Sequence, residues 1–311
     1  MLTRFAIVLV LAGFGIAYWV TRPIVLAADV LKPHHADLSN GETLFNVGGC
    51  ASCHATPGQQ DRLKLGGGRA LNTAFGTFIV PNISSDEKAG IGGWGELAFV
   101  NAMLRGVGRS GEHLYPAFPY PSYQRISVAD VRDLFAFLRT VPADGTPSQR
   151  HKLGFPFNVR RAIGLWKFLF LDGKPFQPDP TRSSELNRGA YLVEGPAHCS
   201  ECHSPRNVFG AIDSGRRYAG GPNPTGQGFV PNITQHADGL AGWSQADIDY
   251  FLKEGLTPDG QAVDPEMAAV ISNTARLSAT DRAAMATYLK SLPARPGRPP
   301  PKPKTAVDKK G

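Results

Sequence analysis

The chain begins with a continuous apolar segment. Residues 5–20 are all apolar or glycine, with an arginine close to each end. With its flanking threonines the segment approaches the length of a membrane-spanning helix, and its Tyr18-Trp19 pair is typical of a membrane–water interface. We therefore favour an uncleaved membrane anchor over residues 1–22 to a removed signal segment. Whether the segment is an anchor or a removed signal, we expect the rest of the chain to be exported.

Beyond the anchor, one pattern of helical periodicity occurs twice. Each copy predicts three helices: a first over 41–47 and 187–193, a second over 94–104 and 243–253, and a third that starts after Ser127 and after Ser278. Both serines are followed three residues later by aspartate, as in a capping box, and each third helix ends before a proline. The pattern predicts an all-α fold.

The two copies indicate a duplicated domain. Their Val-Pro-Asn-Ile segments at 80–83 and 230–233 lie about 150 residues apart, too long a period for a solenoid. We expect small helical domains over residues 37–142 and 185–293, joined by a connector over 143–184.

The connector contains a short apolar run. Residues 163–171 are rich in leucine, tryptophan and phenylalanine, but the run is too short to span a membrane. We expect it to pack between the two domains, with docking onto a partner or the bilayer surface as the alternative. The tail, residues 294–311, is rich in proline and basic residues, and we expect it to be disordered.

Composition and charge narrow the class of protein. The 35 glycines and 26 prolines favour loops around short helices. The net charge of +7 is partly concentrated in the tail, and no basic patch interleaved with aromatic residues is present in the sequence. We therefore expect no nucleic-acid partner.

A Cys-x-x-Cys-His motif occurs once in each copy. Its residues are Cys50, Cys53 and His54 in the first copy and Cys199, Cys202 and His203 in the second. Two thiols at this spacing reach the two vinyl groups of one porphyrin, and the histidine that follows lies beneath the iron as its ligand. Because the two motifs use all four cysteines, they predict two covalently attached haem c groups.

Other uses of Cys-x-x-Cys fit the sequence less well. A zinc site needs ligands grouped in fours, and a redox dithiol has no use for the histidine that follows. Two disulfides are a further possibility, but a chain of 311 residues is too long to depend on them. Covalent haem of this type also places the domains outside the cytoplasm.

The order of N-terminal helix, haem motif, middle helix and C-terminal helix resembles class I cytochrome c. In that fold a methionine in an irregular loop before the last helix binds the iron, and Met267 occupies this position in the second copy. The equivalent residue in the first copy is Phe118, which cannot bind iron. Met103 in the middle helix is the favoured candidate there, with His113 and an open or water-bound iron as alternatives.

Longer segments resemble the cytochrome c subunits of membrane-bound bacterial dehydrogenases. The segments are His113-Leu-Tyr-Pro-Ala-Phe-Pro-Tyr120, the two Val-Pro-Asn-Ile sequences and Phe-Pro-Phe-Asn at 155–158. Such subunits partner quinoprotein alcohol dehydrogenases, flavin gluconate or fructose dehydrogenases and molybdenum aldehyde oxidoreductases. They commonly carry three haems, whereas this chain has two motifs.

The resemblance implies an electron-transfer subunit that has no substrate of its own. It would be anchored in the inner membrane with its haem domains in the periplasm. A catalytic dehydrogenase subunit would supply electrons, and quinone, another cytochrome or an oxidase would accept them. An open first haem would instead favour a dihaem enzyme of the peroxidase or thiosulfate dehydrogenase type.

The resemblance also implies roles around each haem. Pro81 and Pro231 would offer backbone carbonyls to the proximal histidines and so fix the orientation of the rings. The indoles of Trp94 and Trp243 would donate hydrogen bonds to haem propionates.

Overall fold

The computed structural model describes residues 1–225 and 228–297. The helices are α1 (Leu2–Val20), α2 (Leu38–Val47), α3 (Cys50–His54), α4 (Glu96–Arg105), α5 (Tyr120–Tyr123), α6 (Val128–Leu138), α7 (Ala162–Phe170), α8 (Ser184–Glu194), α9 (Gln245–Glu254), α10 (Pro265–Thr274) and α11 (Ala279–Lys290). The strands are β1 (Ala70–Thr73), β2 (Gly76–Ile79), β3 (Gly221–Pro222) and β4 (Phe229–Val230). Below, the first half means residues 37–142 and the second half means residues 185–293.

Helix α1 buries none of its side chains. It has 19 residues, and its most apolar stretch has a mean hydropathy of 1.8, enough in length and composition to cross a membrane. The chain that follows is fixed to the first half, because the Leu26 N–H donates to Asn101 Oδ1 at 2.7 Å and Leu26 and Leu31 pack against the core. A packed segment therefore joins α1 to the first half.

The core of the first half forms where α2 crosses α6. Gly41 lies at the crossing, where a Cβ would overlap the backbone carbonyl oxygen of Asp133. This close approach buries Phe45 completely. Helix α4 packs on the same core, with Phe99 stacked on Phe135 at a centroid distance of 4.7 Å. The core therefore depends on one glycine that lets two helices touch.

The second half repeats this packing. Helix α8 crosses α11 at Gly189, where a Cβ would overlap the carbonyl oxygen of Ala284. Leu192 on α8 and Met285 on α11 are buried, and α9 adds Ile248. The three helices predicted in each copy are present, with slightly shifted ends.

The predicted capping boxes are only half formed. Ser127 and Ser278 accept hydrogen bonds from the N–H groups of Asp130 and Asp281, each at 3.0 Å. The two aspartate side chains do not return to the serine N–H groups but bond to α2 and α8 instead. Each aspartate thus ties the last helix of its half to the first.

The all-α prediction is incomplete, since two short antiparallel hairpins are present. Strand β1 pairs with β2, with Ala70 opposite Ile79, and β3 pairs with β4, with Gly221 opposite Val230. Sequence periodicity could not reveal strands of two to four residues, which are too short for an alternation of polar and apolar positions.

The expectations for the connector and the tail hold only in part. The apolar run of the connector forms α7, and its Trp166 lies between the halves, edge-on to Tyr120 of the first and donating to the Phe209 carbonyl of the second. Only Gly164 of this helix is fully buried, so the run is not a closed core. The tail is ordered at its start, because the Arg295 N–H donates to Thr234 Oγ1 at 3.1 Å and its guanidinium donates to the Arg217 carbonyl at 3.1 Å. Residues 298–311 of the predicted disordered tail lie outside the described residues.

Candidate haem sites

Both Cys-x-x-Cys-His motifs lie on single helical turns. The first forms α3, preceded by Gly49 at φ 60°, and the second forms a 3₁₀ turn over Cys199–Glu201, preceded by His198 at φ 42°. Residues three apart on such turns lie on one face, so each turn presents its two cysteines together. All four cysteines are free thiols.

Burial keeps these thiols neutral in the polypeptide. It raises the pKa of Cys50 and of Cys199 to about 12. Cys202 is exposed at the surface, and only its inner side is shielded from water. The setting of Cys50 and Cys199 suits a thioether, which carries no charge and has no strong hydrogen-bonding group.

The motif histidines are oriented in the same way in both halves. Nδ1 of His54 lies 2.8 Å from the Pro81 carbonyl oxygen, and Nδ1 of His203 lies 2.8 Å from that of Pro231. A carbonyl can only accept, so the proton is on Nδ1 and Nε2 keeps its lone pair. Burial lowers the pKa of His54 to about 4 and also lowers that of His203, so both rings are neutral. Each ring thus offers Nε2 to a metal.

Two glycines hold the proline carbonyls against the motifs. Gly67, at φ 71°, and Gly220, at φ 72°, donate their N–H groups to the backbone carbonyls of His54 and His203, each at 2.9 Å. A Cβ on Gly67 would lie 2.5 Å from the Pro81 carbonyl oxygen. Sequence reasoning missed both glycines, although Gly67 is the middle of three consecutive glycines and Gly220 lies in a Gly-Gly pair, each next to a hairpin.

The two candidate propionate donors lie at equivalent places. Trp94 and Trp243 precede α4 and α9, and each is half-buried at the edge of the core of its half. Trp243 meets Phe251 edge-on at a centroid distance of 5.3 Å. Their hydrogen bonds to propionates remain a prediction.

On the first half, Met103 lies in the pocket beside the motif. It is 5% exposed on α4, and it lines a small cavity together with Cys50, Leu44 and Tyr123. Phe118 is partly buried on the same core and meets the Tyr123 ring edge-on at 5.5 Å. Of the residues proposed as the sixth ligand, Met103 is therefore placed beside a motif cysteine.

His113 is engaged elsewhere. It is 4% exposed, and its Nε2 lies 2.9 Å from the backbone carbonyl oxygen of Thr21, directly after α1. Its Nδ1 is buried without a hydrogen-bond partner in the described part of the chain. An iron at Nε2 would have to displace the contact with Thr21.

On the second half, Met267 lies on a helix and not in an irregular loop. It is in the first turn of α10, which begins at Pro265, and its side chain is partly buried. Proline and the acidic Glu266 favour a helix start at this point, a signal that the sequence contained. Leu252, equivalent to Met103, is packed in the core of the second half.

The two motifs face each other across the contact between the halves. Ser52 Oγ, inside the first motif, accepts a hydrogen bond from Asn273 Nδ2 at 2.7 Å and lies 3.2 Å from the Ala269 carbonyl oxygen. Glu201, inside the second motif, accepts a hydrogen bond from Ser122 Oγ at 2.8 Å. The third residue of each motif therefore binds the opposite half.

Further contacts close the gap between the motifs. His198 Nε2 lies 3.2 Å from the Gly48 carbonyl oxygen, and its ring meets Tyr123 edge-on at 5.6 Å. Burial lowers the pKa of His198, so the ring is neutral and donates from Nε2. Arg62 donates to Asn46 and Asn273 at 2.7 and 2.6 Å and so joins the halves a second time.

The donor set at each motif fits covalent haem. Two thiols lie on one turn, and a neutral imidazole fixed through Nδ1 follows them. A c-type haem needs two thioether positions and one axial nitrogen, and each turn supplies them.

Known proteins with similar sequences agree with this geometry. A cytochrome c family model matches residues 38–142. A diheme cytochrome c-type protein of Cereibacter sphaeroides is 44% identical over 291 residues, which is 93% of this chain and 96% of the relative. The fructose dehydrogenase cytochrome subunit of Gluconobacter japonicus is 36% identical over 297 residues, 94% of this chain and 59% of the relative.

A third relative is the cytochrome c subunit of a quinone-dependent alcohol dehydrogenase of Gluconobacter oxydans, 34% identical over 280 residues, 87% of this chain and 58% of the subunit. This chain thus spans little more than half the length of the two dehydrogenase subunits, but it matches the Cereibacter protein almost from end to end. By that match and by the donor set of its motifs, the chain belongs to the cytochrome c family, and its relatives are named as a dihaem cytochrome and as cytochrome subunits of dehydrogenases.

Proposed function

We propose that this chain is a membrane-anchored dihaem electron-transfer subunit with no catalytic site of its own. Residues 37–142 form one haem domain and residues 185–293 form the other, both in the periplasm. One haem is attached at Cys50 and Cys53 and the other at Cys199 and Cys202. Bound haem supplies a one-electron Fe(III)/Fe(II) couple, and the protein sets its potential through the axial ligands.

One repeated contact supports this proposal above all. In both halves the motif histidine is neutral, is held by a proline carbonyl at 2.8 Å, and keeps Nε2 for the iron. A redox dithiol has no need of this carbonyl contact. A zinc-bound histidine makes a similar one, but a structural zinc ion takes four ligands and each motif carries only three. The backbone of Pro81 and of Pro231 thus orients His54 and His203 as proximal ligands.

The sixth ligands we propose are Met103 for the first iron and Met267 for the second. Met103 is buried beside Cys50, and Met267 lies on the helix that contacts the opposite motif. A thioether from either residue would raise the potential of a haem iron held by the motif histidine, which suits electron exchange. The indoles of Trp94 and Trp243 donate to the propionates in this proposal.

The facing motifs make direct exchange between the haems the simplest route. Contacts from Ser52 and from Glu201 to the opposite half keep the motifs adjacent. Electrons enter from a catalytic dehydrogenase subunit, since two relatives are named as cytochrome subunits of such enzymes. They leave to quinone, another cytochrome or an oxidase, and α1 fixes the chain in the inner membrane.

The absorption spectrum of the exported full-length protein tests the proposal. We expect two covalently bound, low-spin haems, a methionine–iron band at the red end of the spectrum, and no reaction with cyanide or carbon monoxide. A high-spin haem that reacts with peroxide would overturn the proposal in favour of a dihaem enzyme. A colourless protein with the mass of the bare polypeptide would remove both functions.

A further inference from the structure

Helix α7 presents its apolar side chains outward and its lysine inward. Leu165, Phe168 and Leu169 are 47%, 64% and 57% exposed and lie on one stripe of the helix. Lys167 is turned the other way, with Nζ donating to the carbonyl oxygens of Arg105 and Gly106 at 2.7 and 2.6 Å. A helix whose outer side contacts water instead turns its charged side chains outward and its apolar side chains inward.

A loop of the second half extends this surface. Val208 and Phe209 are 87% and 62% exposed. The Trp166 indole donates to the Phe209 carbonyl at 2.9 Å, and Phe170 packs on Phe209 at a centroid distance of 6.0 Å. We call the residues Leu165, Phe168, Leu169, Val208 and Phe209 the outer apolar face.

The outer apolar face adjoins the end of α1. Gly164 on α7 lies so close to Thr21 that a Cβ would meet its backbone carbonyl. Arg161 donates to the Tyr18 carbonyl at 2.8 Å and to Thr21 Oγ1 at 3.0 Å, and it covers the Tyr18 ring at 4.3 Å. Helix α7 is thus fixed at the level of the chain where α1 ends.

This position determines what covers the face. When α1 spans the bilayer, its Tyr18–Thr21 end lies at the lipid headgroups. A helix that contacts this end lies at the same depth, and outward Leu and Phe side chains then reach the acyl boundary while Arg161 reaches lipid phosphates. Exposed apolar patches of this kind mark interaction surfaces.

We propose that the outer apolar face is embedded in the lipid headgroup region and sets the orientation of both haem domains on the membrane. The proposal rests on the membrane anchoring of α1 that is part of the proposed function. It involves both halves, since Val208 and Phe209 belong to the second. Haem orientation is then fixed by two attachments, α1 and this face.

Photolabelling of the full-length holoprotein tests the proposal. The protein is placed in nanodiscs of phosphatidylcholine and phosphatidylglycerol that contain a phospholipid with a diazirine at the start of its acyl chain. Mass spectrometry then locates the labelled peptides. We expect label on α1, on residues 165–169 and on Val208–Phe209.

The labelling pattern distinguishes failure of this proposal from failure of the membrane anchor. Label on α1 alone would overturn the embedding of the outer apolar face and leave the anchor intact. Absence of label from α1 as well would overturn the anchor that was proposed above. If the outer apolar face is protected only when a catalytic subunit is added, the face binds a protein partner. That result would also overturn the lipid proposal.

A double variant gives an independent readout. Phe168→Ser with Leu169→Ser changes two exposed side chains, so the fold and both haem spectra stay unchanged. We expect labelling of Val208–Phe209 to fall several-fold while labelling of α1 is retained. Tyr250→Ser, at a residue that is 52% exposed on α9, is the matched control and keeps the pattern of the parent protein. Equal labelling in the double variant and the control contradicts the proposal.

Discussion

At the scale of single residues, backbone groups orient the proposed iron ligands. The Nδ1–H of each motif histidine donates to a proline carbonyl, and the N–H of Gly67 or Gly220 binds the carbonyl of the same histidine. Both contacts come from the backbone, so they fix the plane of each imidazole independently of neighbouring side chains. Such preorganisation reduces the rearrangement that accompanies a change of iron charge.

Met103→Leu tests the sixth ligand proposed for the first iron. Leucine has a similar volume, so the buried site stays packed and the destabilisation stays below about 1.5 kcal/mol. We expect the potential of one haem to fall and that haem to bind carbon monoxide, because the sulfur ligand is lost. Redox titration and carbon monoxide difference spectra measure both effects. Met285→Leu, in the core of the second half, is the control, and an unchanged first haem would exclude Met103 as a ligand.

Asp133→Asn tests a buried acceptor. Burial acts to raise the pKa of Asp133, but hydrogen bonds from Asn40, the Asp37 N–H and His34 outweigh it and lower the pKa below its usual value. A lowered pKa stabilises the fold above pH ~4 and loses this effect as pH falls through the folded value. We expect the variant to be about 2 kcal/mol less stable at neutral pH, with the difference shrinking in acid.

Denaturant unfolding at several pH values measures this difference. Asp29→Asn, at an exposed carboxylate, is the control and should change stability by less than about 0.5 kcal/mol. A difference that stays constant down to acid pH would contradict the role of the ionised carboxylate.

Sequence reasoning found some of these residues and could not find others. The motif residues follow from covalent spacing, which is a property of the sequence itself. Gly67 and Gly220 were not distinguishable among 35 glycines, because their role depends on a positive φ and on a neighbour distant in the chain. His198 likewise gains its role only from the Gly48 carbonyl of the other half.

At the scale of elements, each half depends on one close crossing of its first and last helices. Helical periodicity and the serine caps predicted these helices well, because both signals are local. The helix that carries Met267 was missed, as were the hairpins, and the outward side of α7 could not be foreseen. Which face of a helix meets solvent depends on what lies next to it, and α1 lies next to α7.

Gly189→Ala tests the crossing in the second half. The added Cβ would overlap the Ala284 carbonyl, so α8 and α11 must separate. We expect the free energy of unfolding to fall by about 2 kcal/mol, because overpacking outweighs the better helix propensity of alanine. Gly242→Ala is the matched control, because nothing lies within 4 Å of its Cβ position. Thermal unfolding followed by circular dichroism compares the two, and equal midpoints would contradict the argument.

At the scale of the whole molecule, the halves are joined through their motifs. The repeated packing of three helices could be predicted from sequence, because the two segments can be compared with each other. The relative placement of the halves could not, because the contacts of Asn273 and Glu201 join residues far apart in the chain and carry no periodic signal.

Asn273→Ala tests this join. The substitution removes the donor to Ser52 and the acceptor of Arg62. The free energy needed to separate the halves should therefore fall by about 1–2 kcal/mol. Hydrogen exchange of the holoprotein should show faster exchange around residues 50–54 and 269–274 together. Asn187→Ala, whose side-chain contacts stay with residues 179–183, is the control and should affect only the start of α8. Unchanged protection of the first motif would contradict the join.

The contacts between the motifs have a consequence for the symmetry of the molecule. Asn273 and Ser122 each lie five residues before the serine that caps the last helix of their half, and each binds the third motif residue opposite. Reciprocal contacts between equivalent positions are the mark of a two-fold homodimer. The two halves of this chain therefore meet as a pseudo-dimer, with Ser52 and Asn273 paired on one side and Glu201 and Ser122 on the other.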